Sequence, residues 1–330
     1  MTGQPRVLET GTMPSWLSAD PHKRAVYQDD LYFWDGWSAF VTACSGEPGE
    51  AVLRHRTFVM IKPEAIVGRR VDPILDFLEA RGFATAGIWP VRLSRHAVRA
   101  LWGYQINSTP VAWVRSLELG ISSGELFVVG LTHPLAHGEA ASAAELLRLS
   151  KGTTSRPGGD SLRDELNCPA RMLSFIHAPD EAADVIRELS ILCGGVASSP
   201  DGPATGLEEV VAAFVGVAGG PNGRPAATVP PTARSVMTAR YSRTVPHDLD
   251  VAATFQRMSG YLRDGFQPGG LPRETWAAVE QHRVEPEQAL RVVTSLERAH
   301  ALPLWDRIVT VAYLTDSLRN GRPMLITPPA

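Results

Sequence analysis

Cysteine is scarce in this 330-residue chain: Cys44, Cys168 and Cys193 are odd in number, widely spaced and in no CxxC pair. Neither a disulfide framework nor a zinc site is indicated by such a set. A basic surplus is missing too, since 32 Lys+Arg stand against 35 Asp+Glu for a net charge of −3. A general nucleic-acid binder needs positive excess to displace counterions, so that class is disfavoured. Long hydrophobic runs are also lacking. The longest, VVAAFVGVAGG over 210–220, falls far short of the ~20 residues that span a bilayer. The opening MTGQPRVLETGTMPSW has no apolar core of the kind a secretory signal carries. The chain reads as cytoplasmic, with neither nucleic acid nor membrane as a partner.

What is present suits a folded protein of about two domains, at ~100–200 residues each. Hydrophobic residues make up 44% and charged residues 20%, enough apolar material for a real core. Residues 1–52 form a leader whose segment Tyr27–Trp37 holds five of the chain's 24 aromatics. That is too much ring surface to leave in water, so the leader should pack, either as a lid over a ligand or against the next domain. The acids Asp29, Asp30 and Asp35 beside those rings could hold Mg²⁺, but are expected to be solvated.

From residue 53 to 195 the pattern alternates between β and α. Strands are expected at 56–62, 83–93, 125–131 and 172–177, from runs such as RTFVMIK and MLSFIH. Helices are expected at 70–81, 95–104, 110–119, 140–150 and 180–192, the first closed by Gly82. Four strands with helices on one face make an α+β sandwich. Residues 196–247, rich in Gly, Pro, Ala and Ser, read as a linker. Between 210 and 247 it has no acid but carries Arg224, Arg234, Arg240 and Arg243. Such a segment could fold over bound phosphate or remain a solvated loop. Residues 248–330 read as a small helical module, with apolar stripes through Phe255, Met258, Tyr261 and Leu262, through Leu290, Val293 and Leu296, and through Ile308, Val311, Ala312 and Leu314.

Chemistry concentrates between 62 and 188. Lys62 leaves a buried strand where an anion could meet it, though a snorkelling surface lysine has the same pattern. Residues 148–163, RLSKGTTSRPGGDSLR, combine guanidinium forks, hydroxyls and glycines that let backbone approach a phosphate. The Walker pattern GxxxxGK[ST] is absent. His177 closes an apolar strand, and a neutral imidazole beside a bound triphosphate is a competent nucleophile if a carboxylate fixes its tautomer. His133 and His137 are spaced to share a metal on a helix, but Pro134 lies between them and no third ligand is evident. Cys168, near the loop, reads as packing.

RTFVMIKPEA, the loop ending in SLRDEL, and SFIHAPD with a glutamate eleven residues after its histidine together resemble nucleoside diphosphate kinase over about 54–195. The resemblance implies a ferredoxin-like βαββαβ fold with a four-stranded antiparallel sheet. It makes His177 the nucleophile, Glu188 the carboxylate on the second ring nitrogen, and Tyr104 the tyrosine near the terminal phosphate. Lys62, Arg148, Thr154 and Arg163 then match phosphate and ribose contacts, with Trp113 near the position of the base-stacking aromatic. Substrates would be ATP or another NTP with Mg²⁺, no metal being held by protein side chains alone, and a nucleoside diphosphate or specialised small molecule as acceptor. A homo-oligomer is in keeping with it. The chain also departs from the family pattern. His177-Ala178-Pro179-Asp180 stands where His-Gly-Ser-Asp is usual, removing a serine hydroxyl that helps order the glutamate. Ser174 replaces an asparagine, a shorter reach to a ribose hydroxyl. These losses keep open a decayed nucleotide-binding or scaffold protein, or other nucleotide-dependent chemistry in the same pocket.

Overall fold

A computed structural model describes residues 11–44, 48–135, 142–152, 159–193, 206–216, 231–263, 277–279, 281, 284–316 and 318. Its centre is a four-stranded antiparallel sheet of β1 (Arg56–Ile61), β2 (Ala84–Val91), β3 (Leu126–Thr132) and β4 (Ile176–His177), in the order β2-β3-β1-β4. This is the ferredoxin-like strand order, with β1 and β3 at the centre. Register pairs Arg56 with Thr132 and Ile61 with Phe127, while Met60 faces His177.

The leader is helical: α1 (Pro21–Tyr27), α2 (Leu31–Cys44) and α3 (Gly49–Arg54). After β1 come α4 (Pro63–Val67) and α5 (Val71–Ala80), and between β2 and β3 lie α6 (Arg95–Leu101), α7 (Gly103–Ile106) and α8 (Val111–Ile121). Then follow α9 (Ala143–Lys151), α10 (Leu162–Glu165) and, beyond β4, α11 (Ala182–Cys193). Proline at the first position of α1 and α4 starts those helices where no amide proton is needed. Gly82 turns the chain after α5 with a positive φ of 83°, a conformation a Cβ would resist.

All six residues of β1 are buried. Successive strand residues point to opposite faces, so both faces of the sheet are covered, not one as the sequence pattern suggested. The leader supplies part of that cover. Phe33 and Phe40 on α2 are fully buried in the same apolar cluster as Phe58, Met60, Ile186 and Leu189. At about 1.5–3 kcal/mol per buried large apolar side chain, α2 alone is a substantial anchor.

β4 is shorter than the expected 172–177 strand. Phe175 sits in the left-handed region (φ 64°) and the Ile176 amide turns back to the Ser174 carbonyl at 2.7 Å, which ends ladder pairing on the N-terminal side of Ile176.

The segment expected as a linker contains α12 (Leu207–Gly216) and α13 (Pro231–Tyr241). Val210, Val211 and Phe214 join the main core, and buried Arg56 donates to the Phe214 carbonyl at 2.8 Å. Alanine-rich sequence with Val and Phe at helical spacing outweighed the flanking glycines. Arg234 pairs with Asp76 at 2.8 Å and Glu79 at 3.0 Å, and Arg240 with Glu125 at 2.9 Å; Arg224 lies outside the described residues. The C-terminal helices α14 (Val251–Arg263), α15 (Pro286–Arg298) and α16 (Leu304–Asp316) build a second core around Met258, Val292, Val293, Leu296 and Val311. That core reaches α8 through Ala112, and Ile308 and Val309 of α16 enter the main one. No helix among the described residues is long and apolar enough to cross a membrane.

Candidate active site

β4 and α11 together bring His177 and Glu188 into contact. The eleven-residue spacing spans a tight turn and two helical turns, and Nε2 of His177 lies 2.9 Å from Oε2 of Glu188. A carboxylate at that nitrogen keeps the proton on Nε2 and leaves Nδ1 with its lone pair. Nδ1 has no hydrogen-bond partner among the described residues. The ring is partly exposed, with its side chain at 18%, and Trp102 stands edge-on to it at a centroid distance of 5.2 Å.

Cationic groups gather beside this pair. Lys151, on the last turn of α9, donates from Nζ to the Ala178 carbonyl at 2.7 Å and to Asp180 Oδ1 at 2.8 Å. Burial pushes the Asp180 carboxyl up, but Lys151, His177 and Lys23 outweigh it and hold it below its ordinary value. Arg163, on α10, donates from Nη1 to the Gly152 carbonyl at 2.8 Å. Burial lowers its guanidinium pKa against the opposing pull of Cys168 and Asp180. Its Nε is buried with no hydrogen-bond partner, and an unsatisfied buried donor is rare enough to require an explanation. Gly152 has φ 70°, and a Cβ there would overlap the Ser161 side chain, so glycine is needed where the loop leaves α9.

Lys62 is buried, with Nζ 2.6 Å from Glu64 Oε1 and donating to the Met172 carbonyl at 2.8 Å. Its backbone N–H donates to the carbonyl of Phe175 at 2.9 Å. Phe175 in a left-handed conformation costs on the order of 1–3 kcal/mol, and that strain sits two residues before His177. Cys168 lies in the field of the same groups. Burial raises its thiol to about 11, against the lowering effect of Arg163 and Lys62.

Asp180 lies in the field of His177 and Lys151, and Cys168 in that of Arg163 and Lys62, so these groups share one electrostatic neighbourhood. Arg148 stands one helical turn before Lys151, and a cleft of about 510 Å³ beside it is lined by Asp180, Glu181, Arg54 and Trp16 of the leader. Thr154 lies outside the described residues. Ser174 is buried and donates to the Ile176 carbonyl at 3.3 Å, so its hydroxyl is spent on its own turn. Trp113 is half-buried on α8, and its Nε1 is buried without an acceptor.

Tyr104 is engaged elsewhere. Its hydroxyl donates to Asp30 Oδ2 of the leader at 2.6 Å, and Arg187 lies over its ring at 4.7 Å. The ring placed against His177 belongs to Trp102, two residues earlier. Asp30, expected in solvent, is buried and also accepts from Arg187 Nε at 2.6 Å. Lys151 was missed although it lies inside the basic loop; its place on the inward face of α9, in line with buried Leu147 and Ala144, was the available signal. His133 accepts from the Leu135 amide at Nδ1 and sits 3.1 Å from the Arg81 carbonyl at Nε2, which uses both nitrogens structurally; His137 lies outside the described residues. Among the described residues no group of three His, Cys, Asp or Glu could hold a metal ion.

No protein-family model and no curated protein matches the chain. Solved structures do. The nucleoside diphosphate kinase of Encephalitozoon cuniculi aligns at 19% identity over 42% of this chain and 87% of its own, with a TM-score of 0.35. That of Aquifex aeolicus aligns at 21% identity over 42% and 93%, also at 0.35. An NDP kinase from Pyrobaculum aerophilum aligns at 17% identity over 42% and 94%, at 0.34. These alignments leave more than half of this chain unmatched.

Proposed function

We propose that this chain is a phosphotransferase that carries the terminal phosphoryl group of a nucleoside triphosphate on His177. The observation that carries the reading is the His177–Glu188 pair, with Nε2 engaged, Nδ1 unengaged and Lys151, Arg163 and Lys62 in the same electrostatic neighbourhood. In this reading the Nδ1 lone pair attacks the γ-phosphorus as the bond to the β-bridging oxygen breaks. The nucleoside diphosphate leaves with that electron pair, and Glu188 steadies the positive charge that develops on the ring. An acceptor's terminal phosphate oxygen then attacks the phosphohistidine, and the bond to Nδ1 breaks to restore the imidazole.

Arg163 offers its unsatisfied Nε–H to a phosphate oxygen, and Lys151 and Lys62 supply charge that a transferring phosphoryl group requires. The described acids form no cage for a divalent cation, so Mg²⁺ would enter with the phosphates of its nucleotide and neutralise part of their charge. Trp102 shields one side of the imidazole.

Covalent transfer through one pocket gives ping-pong kinetics. Initial rates with ATP and a second nucleoside diphosphate, varied together, should give parallel double-reciprocal lines. Intersecting lines would rule out a free phosphoenzyme. A nucleotide-binding protein without turnover is the second reading, and one observation favours it: the Lys62 ammonium is already committed to Glu64 and the Met172 carbonyl. Nucleotide binding with no transfer to any diphosphate would select that reading.

A further inference from the structure

A second cleft, of about 370 Å³, opens between α4, the start of β3 and the C-terminal end of α13. None of its lining residues belongs to the group around His177. Its apolar part comes from Pro63, Ile66, Val67, Phe127 and Trp305, and its polar part from Arg92, Arg240 and Arg243. Arg240 is paired with Glu125, the single acid of the lining. Arg92 and Arg243 are exposed, and their guanidinium groups have no hydrogen-bond or ion-pair partner among the described residues. The lining therefore carries two uncompensated positive charges, in a chain whose net charge is −3.

The segment bearing Arg243 is held in place. Arg69 donates to the carbonyls of Tyr241 and Thr244, and the Tyr241 hydroxyl donates to Asp72 at 2.5 Å. Arg234, on the same helix, shows how this chain otherwise treats arginine: it is paired with two acids of α5. Gathering like charges in a concavity is unfavourable unless an anion relieves it.

We propose that this cleft binds a small organic phosphomonoester that carries an apolar ring. Two guanidinium forks match the phosphate in shape and count, since a phosphomonoester bears about −1.5 to −2 charge at neutral pH whereas a carboxylate bears −1. The apolar wall with Trp305 takes the ring, and the volume is at the small end of the ~300–1,000 Å³ range of ligand pockets. The site stands independently of the reaction assigned to His177.

Titration calorimetry of the full chain with phenyl phosphate tests the proposal, with inorganic phosphate and benzoate as controls. Phenyl phosphate should bind one site more tightly than either control. R92Q/R243Q should weaken it by about tenfold or more, while H177A should leave it unchanged. Both arginines are exposed, so a circular dichroism spectrum identical to wild type is expected for the double variant. No binding, affinity unaltered in R92Q/R243Q, or a loss caused by H177A overturns the site. Equal affinity for inorganic phosphate or benzoate overturns the ligand class. Tighter binding of a phosphotyrosine peptide than of phenyl phosphate would overturn a small-molecule occupant.

Discussion

Arg187 and Asp30, 157 residues apart, form an ion pair at 2.6 Å with both side chains only 4% exposed. Arg187 also donates to the carbonyls of Ala100 and Leu101, at the C-terminal end of α6, and its ring contacts are with Tyr27 and Tyr104. One side chain thus ties the leader, the α6–α7 turn and α11 together, immediately before Glu188. Lys23 adds a second buried tie to Asp184 and Glu181, each at 3.0 Å.

Removing one partner of a buried pair leaves the other charge uncompensated, which costs about 3–5 kcal/mol. Asp30→Ala should destabilise the fold by that order, read from urea unfolding followed by tryptophan fluorescence. A loss under 1 kcal/mol would mean the leader is not anchored through Arg187.

Glu188→Gln keeps the shape of the carboxylate but not its charge or its hold on the tautomer. Outer partners of this kind are worth about 10- to 100-fold. The rate of labelling of His177 by ATP should fall by that factor with nucleotide affinity unchanged. An unaltered rate would show that Glu188 does not orient the imidazole.

Asp180 is held below its ordinary pKa in the folded chain. A carboxylate so depressed contributes stability above its unfolded pKa, ~3.9, and that contribution fades as pH falls through the folded value. Stability should therefore drop between pH 4 and lower pH, and Lys151→Met should flatten part of that drop. A pH profile identical in both proteins would contradict the Lys151–Asp180 assignment.

Cys168, with its thiol raised to about 11, should resist alkylation at pH 7.5 although it is only half-buried, because the thiolate is the reactive form. Peptide mapping after iodoacetamide treatment should find modification rising steeply toward pH 10. Fast labelling at neutral pH would place the thiol in a different environment.

The sheet was legible because its strands are β-rich runs with clear breaks: RTFVMI and LFVVGLT both formed where their composition put them. The His177–Glu188 contact was expected from the family resemblance, which matched the glutamate eleven residues after the histidine, and the two side chains do meet at 2.9 Å. The Tyr104–Asp30 hydrogen bond was not legible because local sequence cannot show a partner far away in the leader. Helix α12, inside the segment read as a linker, was not legible for a related reason. Val210, Val211 and Phe214 make a short apolar face whose burial depends on a surface that only the folded core provides. Arg92 and Arg243, 151 residues apart, line one cleft, a juxtaposition that no local pattern encodes.

The central claim is a phosphoryl group on His177. Incubating the full chain with γ-labelled ATP and Mg²⁺ should give acid-labile, base-stable label that is absent from His177→Ala. Label that persists in His177→Ala, or no label in wild type while nucleotide binding is intact, would contradict it.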